Sequence, residues 1–192
     1  MKYVLSVIGM ILLGFIAVIL FARNATNTNQ TAQIGKQQVH TTDYINSESR
    51  VEFIQNGSIV SNEKRRTLKI SVTQSERVAE VLEGYNESVI KRQTFGNNAD
   101  SYYVFMNALD HAGFTRQKKT DISNPVGYCA SGLTYYYILH NGDEEPSSLW
   151  NSSCAPLAGN LGNSGTVVRR LFTDQIPDYS KFIQGVDFTP SN

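Results

Sequence analysis

Two cysteines, Cys129 and Cys154, are the residues of this 192-residue chain whose type and spacing most directly suggest a specific chemistry. They flank a predicted β-hairpin, one just before its first strand at 133–140 and the other just after its second strand. In a protein that leaves the cytoplasm, two cysteines most simply form a disulfide. We therefore predict a disulfide between Cys129 and Cys154, which would stabilise the fold by roughly 3 kcal/mol in the chain-entropy model.

Catalysis or metal binding by the cysteines is the alternative interpretation. A thiol nucleophile needs a base, and His111 or His140 could serve, but neither histidine lies in a recognisable catalytic motif and the second cysteine would have no role. A zinc site built from both cysteines and His140 lacks the C-x-x-C spacing that is typical of such sites. The sequence therefore predicts no catalytic residue, no metal ligand and no cofactor.

Polar residues at the tip of the same hairpin form a second candidate for chemistry. His140 is followed by three carboxylates at positions 143–145, a combination that suits a metal ion or acid–base catalysis. Turns select such residues anyway, because Asn141 followed by glycine favours a tight hairpin turn with polar neighbours in water. We favour the solvated turn, and expect His140 and Asp143 to contribute to a binding surface rather than to a metal site.

Aromatic residues are concentrated around this hairpin. On a strand, Tyr135 and Tyr137 point to one face and Tyr136 to the other, so one set can fill a core while the other meets a ligand. Tyr128 lies just before the first strand and Trp150 near the end of the second. We expect Tyr128, Tyr136 and Trp150, together with the hairpin tip, to be the contact residues of a binding face.

The charge of the chain limits its partners. The formal net charge is +0, and without Lys2 and Arg23 the acidic residues outnumber the basic ones by two. A nucleic-acid-binding domain should be clearly basic, so we expect no nucleic-acid partner. Short basic patches occur at 64–66, 116–119 and 169–170. Each is more often a solvated face than a polyanion site, although together they could contact anionic polymers of the cell envelope.

The N-terminal segment determines on which side of a membrane these residues lie. Residues 3–20 are apolar at nearly every position, and no charge occurs between Lys2 and Arg23. A helix of about 20 such residues is just long enough to cross a bilayer. A cleaved secretory signal is the alternative, but Leu20 is too large for the outer position of its exit site. We predict an uncleaved single-pass anchor at 1–23, with the rest of the chain outside the cytoplasm.

The remainder divides into a stalk and one folded domain. Residues 24–48 are rich in amides and hydroxyls with hardly a large apolar side chain, which predicts a disordered polar stalk. The domain at 49–192 is large enough for one ordinary core. In it, 51–55 and 58–60 are predicted to form a hairpin around Asn56 and Gly57, a dipeptide that suits a type I′ turn. Residues 68–72 alternate as a half-buried strand.

Helices are predicted at two places, and one further segment is ambiguous. A helix over 98–112 has Asn97 or Asn98 as its cap, an apolar stripe and a stop at Gly113. A second helix is predicted to begin at Thr166, to bury residues 167, 168, 171 and 172, and to end before Pro177. One further helical turn, capped by Asp178, is predicted to follow. A last short strand is predicted at 186–188. Residues 74–84 fit either a helix or a strand that turns into 88–95.

Landmarks of the folded part also resemble a known group of sequences. They are Ile70, Val72, Arg77, Gly84, Tyr85, Asn86, Asn97, Asn98, Tyr103, Phe105, Leu109, Gly113, Phe114, Gly127, Tyr128, Cys129, Trp150, Cys154, Leu171, Phe172 and the run from Gln175 to Tyr179. Over roughly residues 50–188 the chain resembles small membrane-anchored proteins predicted from Saccharibacteria and related ultrasmall bacteria. The resemblance implies strand-like structure over 67–95 and no known activity. It also implies a host that lives on the surface of another bacterium, which the exported domain could face.

Together these features predict an α+β domain with an antiparallel sheet of about five strands and two packed helices, behind one transmembrane helix. The leading functional hypothesis is a cell-surface or envelope binding module, not an enzyme, whose partner is an envelope polymer or a surface protein. An accessory structural subunit of an envelope complex is the second hypothesis. A hydrolase that uses carboxylates or histidines without a recognisable motif is the third.

Overall fold

The structure is a computed structural model, and it describes residues 38–122, 125–154, 158–162 and 165–190. Within these ranges, six strands form one antiparallel sheet in the order β4-β3-β2-β1-β5-β6. The strands are β1 (Ser49–Asn56), β2 (Arg66–Thr73), β3 (Glu76–Glu83), β4 (Ser88–Gly96), β5 (Thr134–Asn141) and β6 (Glu144–Ser152). The α+β class and the antiparallel sheet are confirmed, with six strands where the sequence suggested about five.

The ambiguous segment is strand β3, and its burial explains the ambiguity. Val78, Ala79, Val81 and Leu82 are all buried, but Ala79 and Val81 belong to the main core whereas Val78 and Leu82 do not. Because both faces of this strand are covered, its apolar residues lose the simple alternation of a half-buried strand and imitate a helical spacing. The predicted turn at 84–87 then leads into β4, as expected.

The predicted hairpin around Asn56 and Gly57 is wrong. Strand β1 runs through Asn56, and the chain then leaves the sheet until β2 begins. The backbone N–H of Ser58 donates to the carbonyl of Phe188 at 2.9 Å, and that of Ile59 to the carbonyl of Ala130 at 2.7 Å. Gly57 lacks a positive φ, and a Cβ on it would lie 2.5 Å from the Phe188 carbonyl oxygen. Close approach, rather than a turn, therefore requires this glycine.

The C-terminal segment also differs from expectation. Residues 186–188 do not form a strand, and the Phe188 carbonyl instead holds the loop after β1. A short helix, Tyr179–Phe182, follows Asp178 as predicted. The side chain of Asp178 makes no capping hydrogen bond, however, and the residue has a φ of 52°. The sequence placed the cap at the correct position but for the wrong reason.

Helix α1 (Ala99–Ala112) is confirmed together with both of its ends. The Asn98 side chain accepts a hydrogen bond from the Ser101 N–H at 2.9 Å. Gly113 has a φ of 76°, and the N–H of Phe114 donates to the Leu109 carbonyl. This is the left-handed stop that the sequence indicated.

Helix α2 (Gly165–Thr173) also lies where a helix was predicted, and the short Tyr179–Phe182 helix is named α3. Val168 and Phe172 are buried as expected. Val167, which the sequence placed in the core, is 52% exposed, and Leu171 is only half-buried. The predicted apolar stripe of α2 was therefore too wide.

The core lies between one face of the sheet and the helices. An aromatic cluster forms its centre, in which the Phe172 ring of α2 lies 5.4 to 5.8 Å from those of Phe53, Phe105 and Phe114. Tyr137 of β5 joins it at 5.7 Å from Phe53. The opposite face of the sheet carries the residues that alternate with this set, including Glu52, Tyr136 and His140.

The folded unit begins earlier than the sequence indicated. The described part of the domain starts at Gln38, and a 3₁₀ turn at Thr41–Tyr44 packs on α1. Thr41 is fully buried; its hydroxyl donates to the Met106 carbonyl at 2.9 Å and its N–H to Asp110 Oδ1 at 3.0 Å. Residues 38–48 therefore belong to the domain rather than to the stalk.

The predicted anchor at 1–23 and the stalk over 24–37 lie outside the described residues. In the part of the chain that is described, no helix combines the length and apolar character needed to cross a bilayer.

Candidate functional site

The predicted disulfide is present. Cys129 and Cys154 are bonded with their Cα atoms 5.6 Å apart, and they flank the β5–β6 hairpin as the sequence indicated. The backbone of Gly132 packs against the bridge, since a Cβ on it would lie 2.7 Å from Cys129 Sγ. The bridge therefore ties the segment before β5 to the end of β6.

The three aromatic residues predicted to contact a partner lie together. Tyr136 and Trp150 are opposite each other on β5 and β6, and the Tyr128 and Trp150 rings meet edge to face with their centroids 6.1 Å apart. Trp150 is only 5% exposed, however, and Tyr128 and Tyr136 are half-buried. Trp150 thus serves mainly to pack the hairpin and offers little surface to a partner.

The two polar residues assigned to the hairpin tip are separated. Asp143 is exposed in the turn, whereas His140 Nε2 lies 3.3 Å from Glu52 Oε2 on the sheet face opposite the core. Glu52 is 3% exposed, and its Oε1 lies 3.0 Å from Arg50 Nε and 3.1 Å from Lys69 Nζ. These are ion pairs rather than well-aligned hydrogen bonds. His140 therefore belongs to a charge cluster within the sheet.

No metal site is formed by these residues. Among the described residues, no group of three or more His, Cys, Asp and Glu side chains is placed to hold a metal ion. His111 is exposed, and its Nδ1 lies 2.7 Å from the Asn107 carbonyl oxygen of the same helix. Neither His111 nor His140 lines the cavity that lies at the start of α2.

A cavity of about 390 Å³ lies at the start of α2, against the end of the hairpin, and we call it the α2 cavity. Two basic side chains, Lys118 and Arg169, line it, and no acidic residue is present in its described wall. Lys118 and Thr166 are exposed, so the cavity opens to solvent. The remaining described wall consists of Tyr135, Asn151, Ser152, Ser153, Ala158, Leu161, Gly162 and Gly165.

Arg169 is held in place on two sides. Its guanidinium carbon lies 4.2 Å from the centroid of the Tyr135 ring, and its Nη2 donates to Thr166 Oγ1 at 3.1 Å. Burial raises the pKa of Tyr135, and the charge of Arg169 partly opposes that shift. A guanidinium over a tyrosine ring is favourable by about 0.5 to 2 kcal/mol, depending on desolvation. The fork of Arg169 is thus oriented before any ligand arrives.

Two residues of the cavity wall, Asn151 and Gly165, are held by a buried tyrosine that lies behind the wall. The Tyr137 hydroxyl donates to Asn151 Oδ1 at 3.2 Å and lies 3.4 Å from the Gly165 carbonyl oxygen. Burial raises the pKa of Tyr137 to about 12, with Arg169 opposing the shift. The hydroxyl therefore stays protonated at neutral pH. Gly165 has no room for a side chain, because a Cβ there would overlap the Asn151 amide nitrogen.

The α2 cavity was missed at the sequence level. Lys118 and Arg169 belong to two separate basic patches, and nothing in the sequence indicates that they meet. The 158–162 segment connects Lys118 to the hairpin: the Lys118 N–H donates to the Asn160 carbonyl at 2.8 Å, and the Asn160 N–H to the Trp150 carbonyl at 3.0 Å. A contact set by long-range pairing leaves no local signal.

The chain matches no protein-family model and no curated protein at a significant level. The resemblance to membrane-anchored proteins of ultrasmall bacteria stays a prediction.

Proposed function

We propose that the chain is a membrane-anchored binding module whose folded domain lies outside the cytoplasm and recognises a component of the cell envelope or of a neighbouring cell surface. The observation that carries this proposal is the α2 cavity, whose described wall contains Lys118 and Arg169 and no acidic residue. Pockets with a few convergent polar groups are the default binding sites of proteins.

Binding suits this cavity better than catalysis does. Its described wall offers positive charge, an amide and hydroxyls, but no histidine or carboxylate that could act as a general base near neutral pH. The Tyr137 hydroxyl, which lies behind the wall and has a pKa of about 12, does not ionise near neutral pH. The hydrolase hypothesis therefore has less support than the binding hypothesis.

The disulfide supports the proposed location. Disulfides persist in oxidising compartments and are rare in the cytosol, where thiols are kept reduced. The bond between Cys129 and Cys154 thus fits a domain that faces outward. The anchor at 1–23 supplies the attachment in this proposal.

The test is co-sedimentation of the full-length chain with washed envelope material from the source cells. We expect a bound fraction that falls as salt rises, and that falls in a double variant, Lys118→Gln with Arg169→Gln. The matched control is Lys119→Gln with Arg170→Gln, which removes the same charge outside the cavity wall and should bind like the wild type.

Two results would overturn the proposal. Absence of sedimentation at low salt would exclude an envelope-binding module. Stable co-purification with one membrane complex, equal in both double variants, would instead favour the accessory-subunit hypothesis.

A further inference from the structure

The α2 cavity contains positive charge without a described counter-charge. Neither Lys118 nor Arg169 forms an ion pair with a described residue, whereas the neighbouring Arg170 lies 3.6 Å from Asp174. Arg169 is half-buried, so its charge has lost part of its hydration. Partly desolvated charges are stabilised by an opposite charge nearby. These two charges favour an anionic ligand at the cavity.

The geometry of the basic groups selects an oxyanion. A guanidinium presents its N–H groups as a planar fork that matches phosphate and carboxylate oxygens, and the contacts with Tyr135 and Thr166 fix the fork of Arg169. Gly165 and Thr166, which begin the nine-residue helix α2, also line the cavity. The first N–H groups of a helix have no acceptor within the helix and favour negative charge.

The size and the remaining wall indicate what carries the oxyanion. Cavities of about 300 to 1,000 Å³ hold organic ligands, and this one measures about 390 Å³. Its wall combines apolar surface from Tyr135, Ala158 and Leu161 with the amide of Asn151 and the hydroxyl of Ser153. Such a mixture suits a sugar ring, which has apolar C–H faces and a rim of hydroxyl groups.

We infer that the α2 cavity binds a saccharide unit that carries a phosphate or a carboxylate, with Arg169, Lys118 and the start of α2 holding the oxyanion. This inference rests on the proposed function and names the ligand class of the same site. The shared chemistry is the oxyanion, which a sugar phosphate and a uronic acid both supply.

Isothermal titration of the full-length chain with four probes tests the ligand class. Glucose 6-phosphate and glucuronate should bind, and whichever binds more tightly identifies the oxyanion. Glucose should give no measurable binding, and inorganic phosphate should bind at least 10-fold more weakly than the better sugar probe. Equal binding of inorganic phosphate and glucose 6-phosphate would overturn the saccharide part, and binding of glucose alone would overturn the oxyanion part.

Single variants test the assignment of residues. Removing a hydrogen bond to a charged group costs enough for a roughly 10-fold or larger loss of affinity, so Arg169→Gln and Lys118→Gln should each bind at least 10-fold more weakly. Arg170→Gln and Lys119→Gln should stay within about 2-fold of the wild type. Lys118 is exposed, so its variant reports binding without disturbing the core. Equal losses in Lys118→Gln and Lys119→Gln would mean diffuse electrostatic attraction, and the site would be refuted.

The outcome also separates this inference from the proposed function. If no oxyanion probe binds while salt-sensitive sedimentation with the envelope persists, the ligand class is wrong and the binding module stands. If both fail, both are wrong.

Discussion

The disulfide between Cys129 and Cys154 allows a stability prediction with a calculable size. The bridge closes a loop with a sequence separation of 25 residues. In the chain-entropy model such a loop removes about 12 cal/mol/K from the denatured chain, which is about 3.5 kcal/mol at 25 °C. A double variant, Cys129→Ala with Cys154→Ala, should lose about that much free energy of unfolding.

The folded state should change little, which is why the entropic figure applies. The ends of the hairpin stay joined without the bridge, because the Ser153 N–H donates to the Leu133 carbonyl at 2.9 Å and the Leu133 N–H to Ser153 Oγ at 2.8 Å. The loss therefore arises mainly in the denatured chain, which becomes freer. For a domain of this size it corresponds to a fall in Tm of about 7 to 14 °C.

Urea denaturation of the chain from Gln38 onward measures the effect. The wild type under oxidising conditions is compared with the double variant, and the m-value should rise in the variant because its unfolded state exposes more surface. A reducing agent should destabilise the wild type by a similar amount and leave the double variant unchanged. A loss below about 1 kcal/mol with an unchanged m-value would refute the view that the bridge acts through the denatured chain.

Three further predictions concern single residues. Asn98→Ala should lower the free energy of unfolding by about 1 kcal/mol, because the Ser101 N–H loses its cap. Asn98→Asp should retain most of this stability in thermal melts. Glu52→Gln should lower the free energy of unfolding by about 2 kcal/mol, because basic side chains then surround a neutral group at a site that is 3% exposed. As a control, Glu80→Gln breaks an ion pair with a largely exposed arginine. It should lower the free energy of unfolding by under about 1 kcal/mol, measured by urea denaturation. Finally, the pKa of Tyr137 is about 12 in the folded state, above its ordinary value of 10.0. The unfolded chain therefore loses this proton first. Burial also raises the pKa of Tyr179 to about 12, so both tyrosines lower the free energy of unfolding as pH rises; the contribution of Tyr137 should be about 1.4 kcal/mol per pH unit between pH 10 and 12. In Tyr137→Phe this contribution should vanish from urea midpoints measured across that range.

Features that depend on residues close together in the sequence could be predicted. Helix α1 has its cap, apolar stripe and stop within one short stretch, and each of the three is found in the structure. The disulfide was predictable for a similar reason, since its cysteines flank a single hairpin. The Asn98 side chain bonds a backbone N–H three residues on, and Gly113 acts through its own backbone conformation, so both signals are local and tertiary contacts do not override them.

Features that depend on distant segments could not be predicted. The dipeptide of Asn56 and Gly57 indicates a turn, but the Phe188 carbonyl, which comes from the far end of the chain, lies close to the backbone of Gly57. Trp150 was expected to contact a partner because the alternation of a strand does not reveal what covers each face. Its burial depends on Tyr128, which the loop before β5 brings against it.

The charges of the α2 cavity add little net stability to the fold. The side chain of Arg169 reaches back to Thr166 in the first turn of α2, where the helix dipole is already positive and disfavours a cation. Its contact with the Tyr135 ring is favourable by an amount of similar size, and Lys118 adds a second positive charge to the same wall. In the complex that we propose, a bound oxyanion is stabilised by the helix dipole and by both side chains together.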